Sequence, residues 1–330
     1  MQFSLIIPVY NRPDELEELL NSVKNQVFED KIEVIVVEDG SSVNSKFVTD
    51  KYIEVLDIKY CFKKNSGPGD SRNYGMERAS GDYYILLDSD CILPEHYLSI
   101  IKTSLEAEYV DAFGGPDAAH DSFTNWQKAI NYSMTSLMTT GGLRSQESSR
   151  RKFQLRSFNM GLSKRAFQLT GGFSPQRIGE DIDLNFKLLK HGCSTRLISN
   201  AFVYHKRRTS VYSFFKQTFN FGAARPVLNK MHPGSGKMSY MLPSFFLVGF
   251  LSAVMLYLLG YIYGLLVFLI YSLLILIDAF VKTKNIAVSL LSIVAAFVQF
   301  FGYGSGFLRS TFRIFVSRME PREAFPGMFS

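Results

Sequence analysis

Hydrophobic patterning divides this 330-residue chain into two regimes. In the first, short apolar runs alternate with amphipathic stretches. Phe3-Ser-Leu-Ile-Ile-Pro-Val reads as a buried strand. Leu16, Leu19, Leu20 and Val23 then recur at helical spacing across 14–24, behind a Pro13-Asp14 start. Ile32-Glu-Val-Ile-Val-Val predicts a second strand, ending in Glu38-Asp39-Gly40-Ser41-Ser42. A third strand is expected within 53–62 and a short helix over 71–79. Tyr83-Tyr-Ile-Leu-Leu predicts a fourth strand, ending in Asp88-Ser89-Asp90. Ile182, Phe186 and Leu189 repeat at i, i+4 and i+7 before Gly192, so an amphipathic helix is expected to open near Gly179. Alternating strands and helices predict an α/β domain with a mainly parallel sheet. Ligands of such sheets bind beyond the carboxyl ends of the strands. The acidic strand ends at Glu38-Asp39 and Asp88/Asp90 are therefore expected to converge on one crevice.

The second regime is an apolar run from Met241 to Phe280, bent near Gly260 and Gly264. It predicts two helices, 241–259 and 263–280, each about 28 Å long at about 1.5 Å per residue and so close to the hydrocarbon thickness. A third apolar segment, 286–308, is also long enough to span, with Gly302, Gly304 and Gly306 interrupting its end. The short basic loop at Lys282-Thr283-Lys284 belongs in the cytoplasm by the positive-inside rule. Three spans are the reading adopted, and they raise a conflict. They place the basic tail 309–330, with Arg309, Arg313, Arg318 and Arg322, on the outer side against that rule. An interfacial or re-entrant segment in place of one span keeps the tail inside. The expected organisation is an α/β domain over 1–215, a basic juxtamembrane linker over 216–240, the apolar region 241–308 and the tail.

Charge and composition sharpen this picture. With 47% hydrophobic and 20% charged residues, the chain is not intrinsically disordered. Its three cysteines, Cys61, Cys91 and Cys193, match neither a disulfide framework nor a zinc motif. The net charge of +6 is unevenly placed. No Asp or Glu occurs between Asp183 and Asp278, whereas Lys187 to Lys237 is rich in Lys and Arg. A basic stretch leading into an apolar run fits the cytoplasmic face of a membrane with anionic lipid. It does not fit a nucleic-acid platform, which needs base-stacking aromatics among the cations. Phe3–Val9 lacks the basic flank of a signal peptide, so the first 240 residues are expected in the cytoplasm.

The chemistry is concentrated at the acidic strand ends. Asp88 and Asp90 face one way, because strand side chains alternate. Two such oxygens suit Mg²⁺ or Mn²⁺ bound to a diphosphate. Upstream, Asn65-Ser-Gly67-Pro-Gly69-Asp-Ser-Arg72-Asn73 is a glycine turn opening a helix. It offers backbone N–H groups and the Arg72 cation to a phosphate. Asp181 falls in the first turn of the helix near Gly179, about 200° around from Asp183, so the two cannot serve one point. Residues 139–152 are polar, glycine-containing and basic and read as a mobile loop.

Taken in order, Ser4-Leu-Ile-Ile-Pro-Val-Tyr-Asn11, Val36-Val-Glu38-Asp39-Gly40-Ser41, Asn65-Ser-Gly67 with Ser71-Arg72-Asn73, Ala79-Ser-Gly81-Asp82 and Leu87-Asp88-Ser-Asp90 resemble a family 2 glycosyltransferase of the GT-A fold. The resemblance covers roughly residues 3–215. Phe158-Asn159-Met160-Gly161, Gly171-Gly172-Phe173 and Gly179-Glu180-Asp181 extend it. It implies a nucleotide-diphosphate-sugar donor contacted by Pro8, Tyr10, Glu38, Asp39, Gly67, Arg72 and Asp88. It implies Mn²⁺ or Mg²⁺ at Asp90 with His205 as a further ligand, and Asp181 as general base. Asn159 and Glu180 are expected at the sugar and acceptor pocket, Arg207 and Arg208 over the diphosphate, and the 139–152 loop on the acceptor side. The Gln-x-x-Arg-Trp motif of processive synthases is replaced by Gln217-Thr-Phe-Asn220-Phe221, so single transfers are expected. The implied activity is a membrane-anchored, metal-dependent, inverting transfer to a hydroxyl of a lipid-linked glycan at the cytoplasmic membrane, in cell-envelope polysaccharide biosynthesis. Alternatives are a polyprenyl-phosphate glycosyltransferase and a non-catalytic, nucleotide-sugar-binding membrane assembly protein. No nucleic-acid partner is expected.

Overall fold

In a computed structural model of the chain, residues 1–141 and 154–329 are described. Most of the 139–152 loop reading therefore lies outside the described residues. The chain divides into two units: residues 1–120 and 154–206 with Phe329, and residues 121–141 with 207–328.

The first unit is built on a seven-stranded sheet of order β3-β2-β1-β4-β8-β6-β9. β1 (Phe3–Val9), β2 (Glu33–Asp39), β3 (Asp57–Lys63) and β4 (Tyr83–Leu87) are mutually parallel. β8 (Asn159–Ser163) runs antiparallel to β4 and to β6 (Ala112–Gly114), and β9 (Thr195–Leu197) is parallel to β6. A second sheet sets β10 (Val203–His205) between β5 (Cys91–Ile92) and β7 (Asp117–Ala118).

Period-two alternation splits the core into two layers. Leu5, Ile7, Val34, Val36, Ile85 and Leu87 pack with Leu16, Leu19 and Leu20 of α1 (Pro13–Lys24). That layer also takes Val48 from α2 (Lys46–Thr49) and Leu98, Ile101 and Leu105 from α4 (Tyr97–Ala107). Ile6, Ile35, Val37, Tyr84 and Leu86 face the other way. They meet Met76 of α3 (Pro68–Met76), and the same cluster draws residues from α7 (Lys164–Thr170) and α8 (Glu180–Lys190). β1 leads to a helix beside β2, and β4 lies on its other side. The carboxyl ends of β1 and β4 thus flank the point where the strand order reverses. The third strand begins at Asp57 rather than Ile53, because 53–56 form a turn. The helix expected over 71–79 starts three residues earlier, because Pro68 suits a first helical position.

The second unit is helical. α5 (Asn125–Thr135) and α6 (Leu137–Thr140) belong to it, together with α9 (Val211–Met231), α10 (Leu242–Leu258), α11 (Tyr263–Thr283), α12 (Ile286–Thr311) and α13 (Pro321–Ala324). α9 runs through residue 215, where the first domain was expected to end, and occupies most of 216–240. Among the described residues, three helical stretches are long and apolar enough to cross a membrane: Met238–Leu258, Tyr263–Thr283 and Ile286–Val316. The glycines at 302, 304 and 306 do not interrupt the third. They lie on packed sides of the helix, 302 and 306 at backbone contact with α9 and 304 against Pro243 and Ser244 of α10. A Cβ on Gly306 would stand 2.0 Å from the Phe219 carbonyl oxygen. Small residues here serve close helix approach, not helix breaking.

Candidate active site

Two rim loops are shaped by buried carboxylates at the end of β2. Glu38 is fully buried; it accepts from Ser45 N–H at 2.6 Å, from the Ser41 hydroxyl and from the Tyr60 hydroxyl at 3.3 Å. The sequence placed Glu38 at the donor, but strand alternation turns it away from the crevice and into this loop. Asp39 accepts from the N–H groups of Ser66 and Gly67, both at 2.9 Å, and from Lys63 Nζ at 2.7 Å. It thereby folds the glycine turn. Gly67, at φ +100°, caps α3 in a conformation that disfavours side chains. Asn11 ties the end of β1 to the same rim, its Oδ1 accepting from Ser42 N–H at 2.8 Å. Pro8 is half-buried at the end of β1, and Tyr10 is exposed beyond it.

Arg72 links the carboxylate that follows β4 with the one that opens α8. Its buried guanidinium donates to Asp88 Oδ1 at 2.5 Å and to Glu180 Oε1 at 3.3 Å, and lies over Phe173 at 5.3 Å. Burial opposes its charge, yet Asp88 and Glu180 hold its pKa above the usual value. Glu180 is pushed up to about 7, by burial first and by neighbouring Asp181 second, against the pull of Arg72. Asp181, in the first turn of α8, pairs with Arg156 at 3.2 Å and accepts from Ile182 N–H at 2.8 Å. Asp183 is buried and accepts from Ser174 Oγ at 2.6 Å, so it belongs to the interior.

Asp90 holds the other end of the crevice. One oxygen pairs with Arg12 and the other lies 3.1 Å from His205 Nε2. Burial alone would raise its pKa, but His205 and Arg12 outweigh burial and hold it well below the carboxylate range. His205 ends β10, stacked on Phe158 at 4.7 Å, with Nδ1 4.0 Å from Asp117 Oδ2. The β10–β5 pairing sets His205 opposite Cys91 and so beside Asp90. Asp90, Cys91 and His205 present ligand atoms within 4.8 Å of one another. A carboxylate and an imidazole with a carboxylate behind it form a donor set suited to a divalent ion. The Cys91 thiol does not add to it for a hard cation, because burial keeps it protonated and it donates to the Phe158 carbonyl.

One expected residue falls outside this arrangement. Asn159 is fully buried, donates to the carbonyls of Ala201 (2.8 Å) and Pro116 (3.2 Å), and accepts from Tyr97 OH at 2.7 Å. Its hydrogen-bonding capacity is spent inside the fold rather than in a pocket. Arg207 is buried in the helical unit, donating to Asn131 Oδ1 at 2.9 Å. Conversely, Arg12, Lys63 and Arg156 sit on the carboxylates but were not singled out from the sequence. The signal was present for Arg12, a cation directly after the β1 motif. Lys63 and Arg156 carry no local signature.

A mainly parallel sheet with acidic strand ends at its switch point, flanked by a glycine turn and a Glu-Asp helix start, defines the GT-A class of fold. The sequence profile of glycosyl transferase family 2 matches residues 4–170, half of the chain, and the chain belongs to that family. Among curated relatives, the GalNAc(5)-diNAcBac-PP-undecaprenol beta-1,3-glucosyltransferase of Campylobacter jejuni is 35% identical over 116 residues, covering 34% of this chain and 37% of that protein. Glycosyltransferase AglE of Haloferax volcanii is 30% identical over 154 residues, covering 42% of this chain and 51% of that protein. The matches thus span about a third to a half of these relatives' lengths. Among solved structures, mannosyltransferase PcManGT from Pyrobaculum calidifontis, in complex with GDP-Man and Mn²⁺, has a TM-score of 0.62 at 13% identity, covering 90% of this chain and 87% of that one. Staphylococcus aureus TarS in complex with UDP-GlcNAc has a TM-score of 0.52 at 21% identity, covering 69% and 67%. The expected family 2 glycosyltransferase with a GT-A fold and apolar C-terminal helices is borne out.

Proposed function

We propose that the chain transfers a sugar from a nucleotide-diphosphate-sugar to a hydroxyl of a lipid-linked glycan at the cytoplasmic membrane face, with inversion. The observation that carries this reading is the convergence of Asp90 and His205, 3.1 Å apart, in a family 2 domain whose Arg72 also joins Asp88 to Glu180. Tyr10, Gly67 and the rim held by Asp39 would border the donor. Asp90 and His205 would hold Mn²⁺ or Mg²⁺, which when bound neutralises the diphosphate as it leaves. Asp88, steadied by Arg72, would orient the donor beside it.

Asp181 would act on the acceptor. Its carboxylate takes the proton of the acceptor hydroxyl as that oxygen bonds to the anomeric carbon and the bond to the diphosphate oxygen breaks. Attack from the face opposite the leaving group inverts the anomeric configuration. The pairing with Arg156 fixes the carboxylate's direction. The three apolar helices support a membrane anchor, and a lipid-linked acceptor accords with the undecaprenol-linked name of the Campylobacter relative.

The test is release of nucleoside diphosphate by detergent-purified protein, across a panel of nucleotide-sugars with Mn²⁺ or Mg²⁺, with and without membrane lipid extract. Release with one donor, raised by the extract and abolished in Asp181→Asn, supports the proposal. Release that survives Asp181→Asn excludes Asp181 as base and favours a phosphate acceptor. Tight donor binding without release from any donor excludes catalysis.

A further inference from the structure

The helical unit bears on which apolar segments enter a bilayer. α10, α11 and α12 all qualify by length and composition, yet they are not clad alike. Only 11% of the apolar window is buried in the first two, against 39% in the third. The extra cover on α12 comes from helices with polar faces. A Cβ on Gly302 would meet Thr218 Oγ1 and the Phe215 carbonyl, and one on Gly306, a turn later, would meet the Phe219 carbonyl and Ala223 N. A Cβ on Gly222 would meet the Tyr303 carbonyl. Contacts advance in the same direction along both chains, so α9 lies parallel to α12 at backbone contact. The pairing extends to Arg309, whose guanidinium lies over Phe219. Toward the start of α12, Ala129, Ile130 and Met134 of α5 and Phe214 of α9 cluster with Val288 and Ala295.

α9 is not a membrane-crossing sequence. It carries Lys216, Gln217, Asn220, Arg225, Asn229 and Lys230, with Lys216 exposed. A helix laid parallel along α12 enters hydrocarbon wherever α12 does, and Lys and Arg are strongly disfavoured at that depth. α10 and α11 have a different setting. Phe246, near the start of α10, meets Phe268 and Tyr271 of α11 and Phe297 and Phe300 of α12. Beyond that junction the hairpin exposes Val248, Leu251, Met255, Leu258, Leu266 and Val267.

We infer that α12 does not cross the membrane: it lies with α9 at the lipid surface, and only the α10–α11 hairpin inserts. This rests on the reading that the apolar helices anchor the protein in a bilayer. Lys237, Lys282, Lys284, Arg309, Arg313 and Arg318 then share one face of the bilayer. That placement satisfies the positive-inside rule, which three spans violate, and sets the basic groups against anionic headgroups. Leu290, Val294 and Leu308, exposed on α12, supply its apolar contact with the lipid.

Sidedness tests this directly. Single cysteines replace exposed residues, as Lys237→Cys, Lys284→Cys and Ser317→Cys, in a Cys61→Ser background where Cys91 and Cys193 are buried. The intact protein is labelled with a membrane-impermeant maleimide in right-side-out and inside-out vesicles. The expected result is labelling of all three from one face and loss of all three signals from the other. Ser317→Cys labelling only from the face opposite Lys284→Cys overturns the inference in favour of three spans. Release of the protein from vesicles by an alkaline wash overturns the anchor itself, a failure that the labelling pattern does not mimic.

Discussion

Glu180→Gln isolates a proton that the fold holds at the start of α8. Glu180 is buried beside Asp181, and its pKa stands at about 7 against an ordinary 4.5. The folded chain therefore binds more protons at this group than the unfolded chain between those two pH values. Its contribution to stability is fully present below pH 4.5 and is lost as pH rises through 7. At about 1.4 kcal/mol per tenfold change in proton affinity, the span amounts to at most about 3 kcal/mol. Gln keeps the shape and a carbonyl oxygen for Arg72 but never charges. Detergent-purified wild type and variant are to be melted at pH 5, 6, 7 and 8. The two should nearly coincide at pH 5, and the variant should melt higher at pH 8, by up to about 5–10 °C. Parallel curves at every pH, or a variant that loses stability as pH rises, would refute the argument that burial and Asp181 set this proton.

Four further outcomes are expected. His205→Ala should weaken Mn²⁺ binding, read by electron paramagnetic resonance titration without nucleotide, by at least about tenfold; unchanged affinity removes His205 from the metal site. Arg12→Gln should strengthen Mn²⁺ binding in the same titration by several-fold, because Asp90 then lacks a competing cation whose pairing, on a partly exposed side chain, is worth about 1 kcal/mol after solvent screening; weaker binding would show that Arg12 instead supports the site. Gly306→Leu should lower the melting point sharply, by about 3 kcal/mol or more in stability, because its Cβ would overlap backbone of α9. Gly249→Leu, whose Cβ meets only Phe268 at 3.8 Å, should leave the midpoint nearly unchanged.

The fold was legible where hydrophobic period and punctuation agreed. β1, α1, β2, β4 and α8 all formed within a few residues of their expected bounds, because each has an unbroken apolar run or helical stripe with a Pro, Gly or acidic cap beside it. The apolar helices were legible from length alone. α12 was misread at its end because Gly302, Gly304 and Gly306 act as breakers only where nothing packs on them. The partner that fills the space at 302 and 306, α9, lies about 80 residues away in sequence. Its own pattern is that of a basic linker, with Pro226 inside it and no apolar stripe to announce a helix. Helix–helix closeness of this kind is a property of two segments together and leaves no mark on either one alone.

At the site, the residue types were legible and their company was not. Strand alternation alone was enough to separate Glu38 from Asp39, since adjacent residues on β2 face opposite sides, yet the resemblance carried both to the donor. Asn159 reads as polar and reachable from sequence, and only β8's place between β4 and β6 shows that it is enclosed. Three of the four cations, Arg12, Lys63 and Arg156, were the larger omission, and Arg72 was expected on a phosphate rather than between carboxylates. Asp39 meets Lys63, Asp88 and Glu180 meet Arg72, Asp90 meets Arg12, and Asp181 meets Arg156. A buried carboxylate left alone would protonate, so a cleft rich in acids persists only with counter-charges at hand. On the proposed function, binding an ion and a diphosphate would then be an exchange of partners rather than the filling of a void. A divalent ion at Asp90 would displace Arg12 from that carboxylate and free its guanidinium for a phosphate. Metal and nucleotide should accordingly each raise the other's affinity by the same factor, as linkage requires. Arg12→Gln should shrink that factor even while it tightens metal binding alone. If the coupling is unaltered in the variant, Arg12 is only a surface partner of Asp90 and the exchange does not occur.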